Sequence, residues 1–137
     1  MIKEQTYEII RELDVAMVTL AATNLAERIG FTKSTQNRIA IAVSELATNL
    51  IHHAGSGTIT LSAIYQNNQK GIEILVEDSG PGIQDVEKAF TKNFSTRDSL
   101  GLGLTAVKQL MDEVKIDTKL GQGTSIVVRK WFHEGAN

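Results

Sequence analysis

The chain has 137 residues, 42% of them hydrophobic and 22% charged, a length and balance that suit one domain over residues 1–137 with a single buried core. Its formal net charge of −2 supplies no basic field for a phosphate backbone, so nucleic acid is not expected as a partner. There is no cysteine, which excludes a disulfide framework and thiolate metal sites and suits the cytoplasm. No apolar run approaches the roughly 20 residues that span a bilayer, so no membrane association is expected.

In chain order, Tyr7, Ile9 and Arg11 alternate with Glu8 and Ile10 and predict a first strand. Asp14 is the expected N-cap of a helix carrying Val15, Val18, Leu25 and Ile29, with Gly30 as its stop. A second helix is expected from Thr32 or Ser34 to about His53, where AGSG ends it. Thr58 to Tyr65 and Gly71 to Glu77 read as strands of a hairpin joined by a longer loop across NNQK. A helix follows around Leu104 to Met111, and Val114 to Lys119 and Ser125 to Trp131 close the chain as two strands around LGQGT. The order β-α-α-β-β-α-β-β predicts an α/β fold: a two-layer sandwich with a mixed, mostly antiparallel sheet and its helices on one face.

Three segments carry chemistry. In the stretch GIEILVEDSGPGI, counting back by twos from Asp78 meets Val76, Ile74 and Ile72, so the acid shares their face. If that face is buried, an unpaired carboxylate there costs several kcal/mol, and Asp78 needs a partner. An ordinary turn uses the same residue types, but an acid followed by Gly80 and Gly82, which permit close backbone approach, also suits a planar ligand with an amino group, such as adenine.

On the second helix Ile39, Val43, Leu46 and Leu50 make the core face, while Glu45 and Asn49, four residues apart, lie about 40° from each other on a different face with His52 beside them. A solvated helix face carries such residues too. As a site, the Asn carbonyl oxygen suits Mg²⁺ and the Glu is a possible base. His52 and His53 read as structural, near a helix end that favours cationic imidazole. In SLGLGLTAVKQLMD, Gly101 and Gly103 precede an apolar helix, which is either an ordinary helix start or a phosphate cradle, with Lys92 and Arg97 in the loop before it. GQGT, which includes Thr124, is most simply a hairpin turn. The chain has no GxxxxGK[ST] loop and no HRD or DFG motif, so a nucleotide would need another fold.

Order and spacing make the set specific. SELATNLIHHA resembles the N box, EDSGPGI the G1 box, SLGLGL the G2 box and GQGT the closing turn of the GHKL superfamily, which binds ATP on the Bergerat sandwich. FSTRDSLGLGL and AVKQLMDEV further resemble the bacterial anti-sigma-factor serine/threonine kinases. The resemblance implies a protein kinase using ATP and Mg²⁺. In it Asp78 accepts a hydrogen bond from the adenine amino group, Gly80 and Gly82 admit the base, and Thr124 supports the adenine end. Asn49 holds Mg²⁺, Gly101 and Gly103 wrap the phosphates, Glu45 is the base, and Arg97 is the phosphate-contacting cation. It also implies STAS-domain stressosome proteins as substrates and a PP2C-type phosphatase as the target once the kinase is released. A nucleotide-dependent anti-sigma-factor-like binding module with little catalysis is the alternative.

Overall fold

The structure, a computed structural model, describes residues 3–78, 104–119 and 123–133. Strand β1 (Gln5–Ile9) leads into helix α1 (Glu12–Ile29), so the first strand stops short of Arg11, which is the N-cap with extended backbone. Asp14, expected as that cap, stands at the third helical position instead. Its Oδ2 accepts the N–H groups of Ile10 and Arg11, both at 3.0 Å. A carboxylate one turn in makes the reciprocal half of a capping box, accepting from the N-cap N–H and the one before it instead of from N–H groups further along the helix. These bonds, Ile10 foremost, hold the Asp14 carboxyl below its ordinary range. Gly30 ends α1 as expected, at a φ of 118° that favours glycine.

Helix α2 (Lys33–Asn49) starts from Thr32, whose hydroxyl accepts the Thr35 N–H. It does not continue to His53 as an α-helix. A π-helical turn, Leu50–Ala54, follows, and Gly55 at φ 86° ends it. Strands β2 (Gly57–Gln66) and β3 (Gln69–Asp78) form a tighter hairpin than expected. Its two-residue turn is Asn67–Asn68 at φ 53° and 65°, a left-handed pair that Asn tolerates and that matches the twist of the strands.

Helix α3 (Leu104–Leu110) precedes β4 (Glu113–Lys119) and β5 (Gly123–Trp131). All four strand pairings are antiparallel, in the order β1-β2-β3-β5-β4, so the sheet of the described residues is antiparallel throughout. On its covered face Ile59, Leu61, Ile72, Ile74, Val76 and Val128 meet Val18, Leu25, Ile39, Val43, Leu46, Leu104 and Val107. Burial of each such side chain contributes about 1.5–3 kcal/mol, which makes the pairing register costly to shift. The opposite face carries polar pairs: Arg129 lies 2.9 Å from Glu73 and 3.5 Å from Glu113, and the Trp131 indole donates to Glu113. No helix among the described residues is long and apolar enough to cross a membrane.

Candidate functional site

The pairing register lays one row of residues across the end of the sheet. Ile9 stands opposite Gly57 between β1 and β2, Asp78 opposite Thr124 between β3 and β5, and Thr124 opposite Thr118 between β5 and β4. The Cβ of Asp78 is 3.3 Å from the position a Cβ on Gly57 would take, which joins the two halves of the row. Directly opposed residues project to one face of a sheet, and period two puts Asp78 with Ile72, Ile74 and Val76, all buried. Asp78 therefore closes the core side of β3 as expected, and is itself half-buried. Thr124 is 8% exposed, and its hydroxyl oxygen lies 2.9 Å from that of Thr118. The Thr118 hydroxyl also donates to the Gly123 carbonyl at 3.2 Å.

Gly57 holds α2 and the sheet together at this end. A Cβ there would lie 2.4 Å from the Glu77 carbonyl oxygen and 2.6 Å from Leu50 Cδ2, so β2 and β3 can approach the π-helical turn only because the side chain is missing. Leu50 in turn follows Asn49, the last residue of α2. Glu45 and Asn49 both lie within the α-helical part of that element, and share a face as the spacing predicts. Glu45 is exposed and Asn49 half-buried. His52 lies in the π-helical turn, where i→i+5 bonding advances the chain by a smaller angle per residue, so it does not extend the stripe. Its Nε2 is 3.8 Å from Glu12 Oε1, in an exposed pair that contributes little.

Gly80, Gly82, Arg97, Gly101 and Gly103 lie outside the described residues. The helix that Gly101 and Gly103 precede does form, with Leu104 and Val107 fully buried. Among the described residues no group of three His, Asp or Glu side chains could hold a metal. Among the described residues, Asn49 offers a hard amide oxygen. It fits Mg²⁺, which takes one or two protein ligands and keeps its waters and phosphates, and it does not fit zinc.

Sequence reasoning missed Gly57 and Thr118. The count by twos that singled out Asp78 would have reached Thr118 from Val114 and Ile116, but without the pairing register nothing ties that hydroxyl to Thr124. Gly57 read only as part of a helix-ending AGSG cluster.

A carboxylate and a hydroxyl at one sheet end, beside the end of a helix bearing an amide oxygen and a second carboxylate, suit a ligand with a hydrogen-bond donor on one part and a metal-bound anion on another. Residues 11–130 match the family model of the histidine kinase-like ATPase domain, and the chain belongs to that family. Its fold and its use of ATP follow, as the box resemblance led one to expect. The chain is 40% identical over 124 residues to the serine/threonine-protein kinase RsbT of Bacillus subtilis (strain 168), covering 90% of this chain and 93% of that one. With that identity and coverage it stands among the serine/threonine-protein kinases of the family. It is also 32% identical over 123 residues to the anti-sigma F factor of Clostridium acetobutylicum, covering 85% and 83% of the two chains. Among solved structures it is similar to a chain in the crystal structure of the SiaB-SiaC complex from Pseudomonas aeruginosa, with a TM-score of 0.57 and 11% identity over 96% of this chain and 90% of the other, a likeness of fold alone.

Proposed function

We propose that residues 1–137 act as one kinase domain that transfers the γ-phosphoryl group of ATP to a serine or threonine of a small STAS-domain protein, in a cytoplasmic partner-switching module that regulates a sigma factor. The observation that carries this reading is the row Gly57, Asp78 and Thr124 beneath the end of α2, which bears Glu45 and Asn49. Similarity to RsbT and to the anti-sigma F factor supports the module. Stressosome proteins are the proposed substrates, and a PP2C-type phosphatase is the proposed target of the released kinase.

In this reading Asp78 accepts the adenine 6-amino group, Gly80 and Gly82 admit the base, and Thr124 supports the same edge. Gly101 and Gly103 turn backbone N–H groups to the phosphates, and Arg97 offsets charge on the γ-phosphate. Asn49 is the protein ligand of Mg²⁺, which when bound supplies charge neutralisation at the phosphates. The acceptor hydroxyl oxygen bonds to the γ-phosphorus as the bond to the β,γ-bridging oxygen breaks. ADP leaves with that electron pair, and Glu45 takes the hydroxyl proton late. The chain's own contribution is mostly position and electrostatics.

Incubation with γ-labelled ATP, Mg²⁺ and purified STAS-domain proteins tests the reading: label is expected on one serine or threonine of a cognate partner. A second reading, an anti-sigma-factor-like module that binds nucleotide with little turnover, rests on the similarity to the anti-sigma F factor. Tight ATP binding without label on any partner would favour it.

A further inference from the structure

We infer that Thr118 is a positioning residue that fixes the Thr124 hydroxyl as a hydrogen-bond acceptor, so that the base pocket selects a 6-amino purine over a 6-oxo purine. The inference rests on the reading of Asp78 and Thr124 as the base-recognising pair, and concerns a residue one strand further from the base.

A threonine hydroxyl has one proton and two lone pairs, and a backbone carbonyl only accepts. The contact at 3.2 Å between Thr118 Oγ1 and the Gly123 carbonyl is therefore made with the proton of Thr118. At 2.9 Å, the contact between the two threonine hydroxyls then needs the proton of Thr124. The reverse assignment would set two acceptors, Thr118 Oγ1 and the Gly123 oxygen, against each other at bonding distance. With its proton turned toward Thr118, Thr124 has only lone pairs left for a ligand. Asp78, its direct partner across β3 and β5, offers a carboxylate, which also only accepts.

The edge formed by these two residues thus presents acceptors alone. An amino group at the purine 6-position can donate to it. A carbonyl there would face lone pairs with lone pairs, and a site built to receive a donor rejects an analogue lacking one. Thr124 is 8% exposed, so water compensates poorly for a mismatched group. In this arrangement Thr118 bears on base recognition through its bond to Thr124.

The test is calorimetric titration of the full chain with Mg-ATP and with Mg-ITP, a 6-oxo purine nucleotide without the 2-amino group, for wild type, Thr118→Val, Thr118→Ala and Thr118→Ser. Wild type is expected to prefer ATP. Val and Ala release the Thr124 proton, and should each lower the ATP-to-ITP affinity ratio by about tenfold, chiefly through a gain for ITP. Ser keeps the hydroxyl and should restore the ratio. An unchanged ratio in either folded variant, or an equal loss for both nucleotides, overturns the role of Thr118 while leaving the adenine site standing. A wild-type chain that holds ATP and ITP alike overturns the base-recognition reading and this inference together.

Discussion

Leu50 Cδ2 lies 2.6 Å from the point where a Cβ on Gly57 would stand, and the missing side chain lets the end of α2 settle on the sheet beside Asp78. Gly57→Ala would have to displace both Leu50 and the Glu77 carbonyl, at 2.4 Å, and backbone yields less readily than a leucine methyl. Overpacking of this kind destabilises by about 1–3 kcal/mol. Urea unfolding should show that loss, with weaker ATP binding alongside because Glu77 precedes Asp78. An alanine variant as stable as wild type would mean that this end of the sheet is not close-packed.

Asp78→Asn replaces a carboxylate by an amide that can turn a donor toward the adenine amino group that Asp78 is proposed to accept. Hydrogen bonds to a charged group contribute roughly 1.5–3 kcal/mol, so ATP affinity should fall on the order of 10- to 100-fold. The fold should persist, since the side chain is half-buried and keeps its shape. Unchanged affinity by calorimetry would return Asp78 to the part of a turn former.

Glu45→Gln separates chemistry from binding. It preserves shape and reach but removes the proposed proton acceptor. Because Glu45 is exposed, little structural cost is expected. ATP binding should survive, while single-turnover transfer to a STAS substrate should fall by about 10² to 10⁴, or less where proton removal is late. Transfer at the wild-type rate would remove Glu45 from the reaction.

Asp14 sets an acid dependence of stability. Its folded carboxyl is held below the ordinary range by the Ile10 and Arg11 N–H groups, whereas the unfolded chain titrates near about 4. The contribution is therefore complete above the unfolded value, and is lost as pH falls through the folded one. The melting-temperature gap between wild type and Asp14→Ala should be constant from neutral pH down to about pH 5, and should close as the solution is acidified further. A gap independent of pH down to full protonation would show that Asp14 stabilises by packing alone.

Much of this was legible because alternation and helical spacing are local. Counting by twos put Asp78 with Ile72, Ile74 and Val76, and counting by fours joined Glu45 to Asn49. What escaped depended on backbone geometry and pairing register that residue types leave open. An acid near a helix start satisfies the rules for a cap and for the position three residues later, so Asp14 could be placed by sequence only to within a turn. No residue marks the π-helical turn, which settles where Leu50 meets Gly57, and two asparagines in left-handed backbone shortened a loop that NNQK made look longer. Thr118 entered the site only through the β4–β5 register. The roles proposed for Gly80, Gly82, Arg97, Gly101 and Gly103 rest on the box resemblance, since these residues lie outside those described.

The strand order has a consequence for synthesis of the chain. Asp78 lies on β3 and Thr124 on β5, yet these strands are neighbours, with β4 laid outside them although it comes between them in sequence. The hairpin of β2 and β3 can form early from close residues, whereas β5 must enter between β3 and β4 after a long stretch has been made. On a ribosome adding about 5–20 residues per second, the pair proposed to recognise the base does not exist until Thr124 has left the exit tunnel. On that proposal nucleotide binds only a chain whose sheet is complete, and stabilises that state over every earlier one.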